Sequence, residues 1–327
     1  MSVKLNESVS IIAGAVLVGI VLFNLDYSFL RRKTFFEKNY LKCLTGVATE
    51  DKNLFKRTFG IRSIYIKWGD AFPWKRAVKI AKRGSLLMLT WEPYLKREKE
   101  KSILPDIVSG KYDNLISKFA MSAKNFGKPI LLRWAQEPNG DWYSWSGAYN
   151  KDSLYVKAHR RIYEIFMQKN CHNVKFVFCV NYDDIPGKRW NKFENYYPGS
   201  DYVDVVAMDV YNWGDTRGWS KWTHFPKIIK KPYERMIKLA PDKPIILGEI
   251  ASCYSGGDKA RWMEEFMKNL KTKFTAVKAF VWFDWDKECN WKITDRQNVF
   301  DVYKKQVSGD FFSNNPKDFY EVFGFSS

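Results

Sequence analysis

Histidine is nearly missing from this chain. Three in 327 residues, far apart in sequence, are too scattered to gather round a metal. Cysteine is sparse as well: the five present show no metal-ligand spacing and are too few for a disulfide framework in a chain this long. These shortages exclude zinc-bound and cystine-stapled classes, and neither a metal nor another cofactor is expected. Acidic residues are also in deficit, 36 against 54 Lys and Arg, which leaves a net charge of +18. That imbalance favours an anionic neighbour such as an acidic polysaccharide, a phospholipid surface or nucleic acid. The basic residues are dispersed and no nucleic-acid motif accompanies them, so no nucleic-acid partner is expected. A Lys-rich solvated surface is the plain alternative. No repeat or low-complexity linker breaks the chain.

What is present is apolar and aromatic. Hydrophobic residues make up 46% of the chain, enough for a large core, and 14 of its residues are Trp. Trp is a core residue first, but at the end of a strand it also offers a flat apolar face to a sugar ring. Residues 8–25 carry no charge and are apolar all round, about the minimum length that spans a bilayer as a helix. No small-residue cleavage site follows, so a retained signal anchor is expected over residues 1–25, with a juxtamembrane linker over 26–40. Arg31, Arg32 and Lys33 after the span argue for a cytoplasmic domain. The chemistry developed below argues for an extracellular one at the cell membrane, and the chemistry is given the greater weight.

Residues 41–327 then alternate strand-like and helix-like patterns. Strands are expected at 42–49, 62–67, 85–90, 130–134, 175–180, 203–209, 245–249 and 278–283, as apolar runs suited to burial on both faces. The clearest intervening helix is 153–169, where Leu154, Ala158, Ile162, Ile165 and Phe166 share one face. Eight such units predict an α/β fold, a (β/α)8 TIM barrel preceded by the single transmembrane helix. Cys253 and Cys289 follow the seventh and eighth strands and are expected as neighbours. Isolated buried thiols are the expected state, with a bridge as the alternative.

Two of the apolar runs end in a glutamate. Glu137 follows Ile130-Leu131-Leu132-Arg133-Trp134-Ala135-Gln136, and Glu249 follows Ile245-Ile246-Leu247-Gly248. Carboxylates at the loop end of parallel barrel strands point to catalysis, and paired carboxylates cut glycosidic bonds. The turn Asn139-Gly140, read as a site of positive φ, would bring Trp142 back over the site. Arg133 is expected to pair with a carboxylate deep in the barrel.

The stretch from Gly127-Lys128-Pro129 through Arg133-Trp134-Ala135-Gln136-Glu137-Pro138-Asn139-Gly140-Asp141-Trp142 resembles glycoside hydrolase family 26, retaining endo-β-mannanases and related β-glycan hydrolases. Thr90-Trp91-Glu92-Pro93, Asp209-Val210-Tyr211-Asn212-Trp213-Gly214, Leu247-Gly248-Glu249 and Trp282-Phe283-Asp284 resemble its other strand ends, in the same order. The resemblance implies that Glu137 is the acid/base, Glu249 the nucleophile, and Tyr211 the group that orients Glu249. It further implies substrate contacts from Gln136, Trp91, Trp142, Trp213, Trp282, Asn212 and Asn181, with a β-linked polysaccharide as partner and the lipid bilayer as anchor. Gln136 stands where the family pattern has His, and Pro138 stiffens the turn after Glu137, which points away from ordinary plant mannan; the basic charge points toward an acidic exopolysaccharide, with a mannan-like polysaccharide as the other expected substrate. A non-catalytic glycan-binding or scaffold protein of polysaccharide synthesis or export is the competing expectation.

Overall fold

Strands buried on both faces have to find neighbours on both edges, and a closed parallel barrel satisfies that demand. The computed structural model describes residues 42–51, 54, 58–94 and 101–325. Residues 1–40, expected as anchor and linker, lie outside the described residues. Among the described residues no helix is long and apolar enough to cross a membrane.

Eight parallel strands close the barrel: β1 (Cys43–Thr49), β2 (Ile61–Lys67), β3 (Leu86–Glu92), β4 (Ile130–Trp134), β5 (Val174–Asn181), β6 (Val205–Asn212), β7 (Ile245–Ser252) and β8 (Val277–Asp284). Each pairs with the next, and β1 pairs with both β8 and β2, so the ring has no open edge. A two-residue β9 (Phe312–Ser313) adds to the outer side of β1's start. It is too short to leave a pattern in the sequence. Strands β6 and β7 run three residues past their expected ends because they go on pairing there, from Val210 with Ile250 to Asn212 with Ser252.

Helices cover the barrel: α1 (Trp74–Ala81), α2 (Leu104–Val108), α3 (Asp113–Phe126), α4 (Asp152–Gln168), α5 (Phe225–Leu239), α6 (Lys259–Thr272), α7 (Gln297–Val307) and α8 (Pro316–Phe323). In α4 the buried Tyr155, Ala158, Ile162, Ile165 and Phe166 form the single apolar stripe expected of a helix lying on a sheet. The Asp258 side chain caps α6 by accepting from the Ala260 and Arg261 amides. Gly127, in the left-handed conformation, ends α3 and turns the chain into β4.

Two expectations need correction. Cys253 and Cys289 are joined in a disulfide, with Cα atoms 6.1 Å apart, rather than standing as separate thiols. Neither Asn139 nor Gly140 adopts positive φ; between β4 and Trp142 it is Ala135 and Glu137 that do, at φ 47° and 55°. Gly140 is required for a different reason. A Cβ there would lie 2.6 Å from the Trp142 ring, so glycine is what lets that indole fold back.

Candidate active site

The chain leaves β4 in a conformation that Ala and Glu rarely take, each costing about 1 kcal/mol or more. Hydrogen bonds from all sides hold it there. The Ala135 amide donates to the Trp91 carbonyl at 3.2 Å and the Glu137 amide to the Cys179 carbonyl at 2.9 Å. The Tyr155 hydroxyl donates to the Ala135 carbonyl at 3.2 Å, and the Trp145 indole to the Gln136 carbonyl at 2.8 Å. This bend turns the Glu137 carboxylate inward. Its Oε1 accepts from Asn181 Nδ2 at 3.0 Å and its Oε2 from Trp142 Nε1 at 2.8 Å.

Glu249 lies within β7, where the pairing with β6 and β8 slips by a residue on either side of it. Its Oε1 accepts from Arg133 Nη1 at 2.7 Å and from the Tyr65 hydroxyl at 2.8 Å. Its Oε2 accepts from the Tyr211 hydroxyl. Arg133 completes its fork on Asp209 Oδ2 at 2.5 Å, and Asp209 Oδ1 accepts from the Cys179 thiol at 3.2 Å. Gly248 makes room for this pair, since a Cβ there would meet Asp209 at 2.7 Å. One guanidinium thus faces two carboxylates inside the barrel, as expected of Arg133.

The two glutamates are tuned in opposite directions. Burial, reinforced by the charge of Glu249, pushes Glu137 up to about 7. Burial also acts on Glu249, but Arg133 and the hydroxyls of Tyr211 and Tyr65 outweigh it and hold its carboxyl below the usual range. Each therefore feels the same barrel interior, yet near neutral pH Glu137 keeps a proton while Glu249 is an anion. Glu92, the third carboxylate here, is raised by burial, with the Gln136 amide donating to it at 3.2 Å and Tyr94 at 3.3 Å.

Five of the expected sugar contacts are buried: Trp91, Trp282, Asn212, Gln136 and Asn181, the last of which donates to Glu137. Trp91 is fully buried between Trp68 and Phe119, with ring centroids 4.4 and 4.3 Å away. Trp282 is likewise buried and donates to the Trp291 carbonyl at 2.9 Å. Both point outward from the strand into the helix layer, which is why they pack instead of lining the mouth. Asn212 is buried and spends its amide on loop structure. It donates to Ser252 at 3.1 Å and accepts from the Gly214 and Thr223 amides. Gln136 is also buried, turned onto Glu92. Trp142 is 42% exposed, Trp213 is half-buried against Trp291, and Trp219 beyond it is 70% exposed.

Sequence reasoning gives Tyr65 and Asp209 no role in the site and reads Asn139 only as a turn residue. Asn139 is buried beside the bend, accepting from the Asn181 amide at 2.9 Å and donating to the Asn181 carbonyl at 2.9 Å. The available signal was polar residues interrupting apolar strands, Asp209 in β6 above all. Among the described residues no group of His, Cys, Asp and Glu is placed to hold a metal ion.

Residues 50–306 match the model of glycosyl hydrolase family 26. The chain belongs to that family. This family member is 37% identical over 259 residues to endoglucanase H of Acetivibrio thermocellus, covering 77% of the chain and 27% of that protein. It is 26% identical over 188 residues to mannan endo-1,4-beta-mannosidase A and B of Caldalkalibacillus mannanilyticus, covering 55% of the chain and 32% of that protein. The chain thus spans about a quarter to a third of the length of these relatives. An endo-beta-1,4-mannanase structure from Cellulomonas fimi superposes with TM-score 0.64 at 14% identity, over 88% of this chain and 74% of that one. At that identity the likeness concerns the barrel fold alone.

Proposed function

We propose that this family 26 chain is a retaining endo-glycosidase that hydrolyses a β-linked polysaccharide. Glu249 is the nucleophile and Glu137 the acid/base. The observation that carries the reading is the opposed tuning of the two buried carboxyls, one raised to about 7 and one depressed. Double displacement needs one anion and one acid in the same site.

In the first step Glu249 forms a bond to the anomeric carbon as the glycosidic C–O bond breaks. Glu137 gives its proton to the departing oxygen. The charge of Glu249 is then gone, which lowers the proton affinity of Glu137 and readies it to act as base. In the second step Glu137 takes a proton from water, the water oxygen bonds to the anomeric carbon, and Glu249 leaves as carboxylate. Tyr211, Tyr65 and Arg133 aim the nucleophile, while Asn181 and Trp142 fix the acid. Trp213 and Trp142 offer the exposed ring faces for sugars. The relatives' names span glucan and mannan hydrolases, which supports a β-linked backbone without choosing the sugar. The apolar stretch 8–25 supports tethering of the barrel at the outer face of a cell membrane.

The test uses the full chain on β-mannan, β-glucan and acidic polysaccharides, with product anomers followed by proton NMR. Retention of the β-configuration is expected, together with a loss of about 10²–10⁴-fold for Glu137→Gln on unactivated substrate. Inverted product, or turnover indifferent to both Glu137→Gln and Glu249→Gln, would sink the assignment.

A further inference from the structure

We propose that a basic groove on the rim of the barrel binds the carboxylate or sulfate groups of an anionic polysaccharide. The proposal rests on the hydrolase reading for its ligand class and adds the charge of the substrate.

The groove lies between the loop after β5 and the first half of α5, with a volume of about 630 Å³. That is within the size range of small-ligand sites. Lys188, Arg189 and Lys192 line it from the loop, and Lys227 and Lys231 from the helix. All five are exposed, and among the described residues none of them forms an ion pair. Arg235, the sixth cation, is engaged by Asp184 at 2.8 Å and by Glu194 at 2.5 Å. Of the lining acids, Asp184 is thus paired and Asp183 alone stands against the five.

A second observation is the charge order of α5. Its first turn holds no acid and does hold Lys227, so a cation sits at the positive end of the helix dipole. The anion at that helix start is Glu265, which accepts from the Phe225 amide at 3.2 Å and does not line the groove, so Lys227 and Lys231 are left to the groove.

The position of the groove connects it to the Glu137 bend. Asn139 donates to Asp184 Oδ1 at 3.1 Å and to the Asp183 carbonyl at 3.2 Å, and Asn191 donates back to the Asn139 carbonyl at 2.8 Å. The groove wall is therefore fastened to the turn that carries Glu137. The same loop presents Trp190, 49% exposed, as an apolar face among cations. Stacking surface beside free ammonium and guanidinium groups suits a sugar chain with charged substituents.

The experiment measures binding of labelled β-1,4-linked mannuronate oligosaccharides to the full chain carrying Glu137→Gln, which suppresses cleavage. A neutral β-1,4-mannan oligosaccharide and anionic phosphatidylglycerol vesicles are run alongside. Lys227→Ala with Lys231→Ala is expected to weaken mannuronate binding about tenfold, two exposed charge contacts' worth. Lys75→Ala with Lys82→Ala, on and just after α1 across the barrel, matches the charge change and is expected to leave binding unchanged. Affinity should fall as salt rises from about 10 to about 100 mM, because screening shortens from about 30 to about 10 Å. Equal losses in the two double variants, equal affinity for the neutral oligosaccharide, absence of mannuronate binding, or displacement by the vesicles each overturns the proposal. Hydrolysis untouched by Glu137→Gln, with the groove result as expected, would instead remove the catalytic assignment and leave the groove standing.

Discussion

Replacing Glu137 by Gln should make the fold more stable at alkaline pH and change little at acid pH. In the folded chain Glu137 titrates near 7, against an ordinary 4.5. Its folded-state affinity for the proton is thus the higher one, and the sign follows. Below about 4.5 the group is protonated in both states and contributes nothing to pH dependence. As pH rises from 4.5 toward 7 the unfolded chain ionises while the folded chain resists, so stability is lost across that window. Above about 7 the loss is complete. Roughly 2.5 pH units at about 1.4 kcal/mol each give about 3 kcal/mol. Glutamine does not titrate, so it removes this loss. It also gives up one of two hydrogen bonds, since its amide nitrogen cannot accept from the Trp142 indole as well as its oxygen accepts from Asn181. That deficit, about 1 kcal/mol, is independent of pH. Urea denaturation of wild type and variant at matched pH values isolates the effect, because all other titrating groups cancel in the difference except those coupled to Glu137. The variant should go from slightly less stable than wild type near pH 4.5 to about 2 kcal/mol more stable near pH 8. A difference flat with pH to within about 0.5 kcal/mol would refute the claim that burial and Glu249 raise this carboxyl.

The tuning of Glu249 predicts the other limb of activity. Tyr211→Phe removes one of its three donors, so its carboxyl should rise and the acid limb of kcat/KM should move to higher pH, with a rate loss of about tenfold to hundredfold; an unmoved limb would free Tyr211 from that role. Arg133→Met leaves Asp209 and Glu249 buried without their cation and should cost about 3–5 kcal/mol in urea denaturation. Trp91→Ala should cost about 3–5 kcal/mol of stability, as a core residue does, while Trp142→Ala should cost under about 1 kcal/mol and show itself in KM and kcat. Similar stability losses for the two tryptophans would contradict the division made here between packing and site.

The barrel was legible because its strands obey a simple constraint. Burial on both faces forces apolar runs, and the eight runs from 42–49 to 278–283 stand out for that reason. The polar residues Arg133 and Glu249 inside those runs were legible for the complementary reason, and Asp209, missed, carried the same signal in β6. A charge in a buried strand is costly without a partner, so its presence advertises an arrangement that repays the cost. What sequence does not carry is direction. Trp91 and Trp142 have the same side chain and both stand near carboxylates, yet Trp91 points from β3 into the helix layer while Trp142 lies in the loop after β4, at the mouth. Residues 135–137 were opaque for a different reason. Nothing in Ala or Glu favours positive φ, and the bend exists because hydrogen bonds from β3, β5, α4 and Trp145 impose it.

That imposed bend also explains how one fold keeps two carboxyls apart in chemistry while close in charge. Glu249 sits in a strand, where Arg133, Tyr65 and Tyr211 reach it with donors and a full positive charge. Glu137 is lifted off the end of its strand by the strained turn, where neutral donors meet it and the same buried guanidinium is already shared by Asp209 and Glu249. The strained bend at Ala135 and Glu137 sets this carboxyl among neutral donors, and burial with the nearby charge of Glu249 then raises it to about 7.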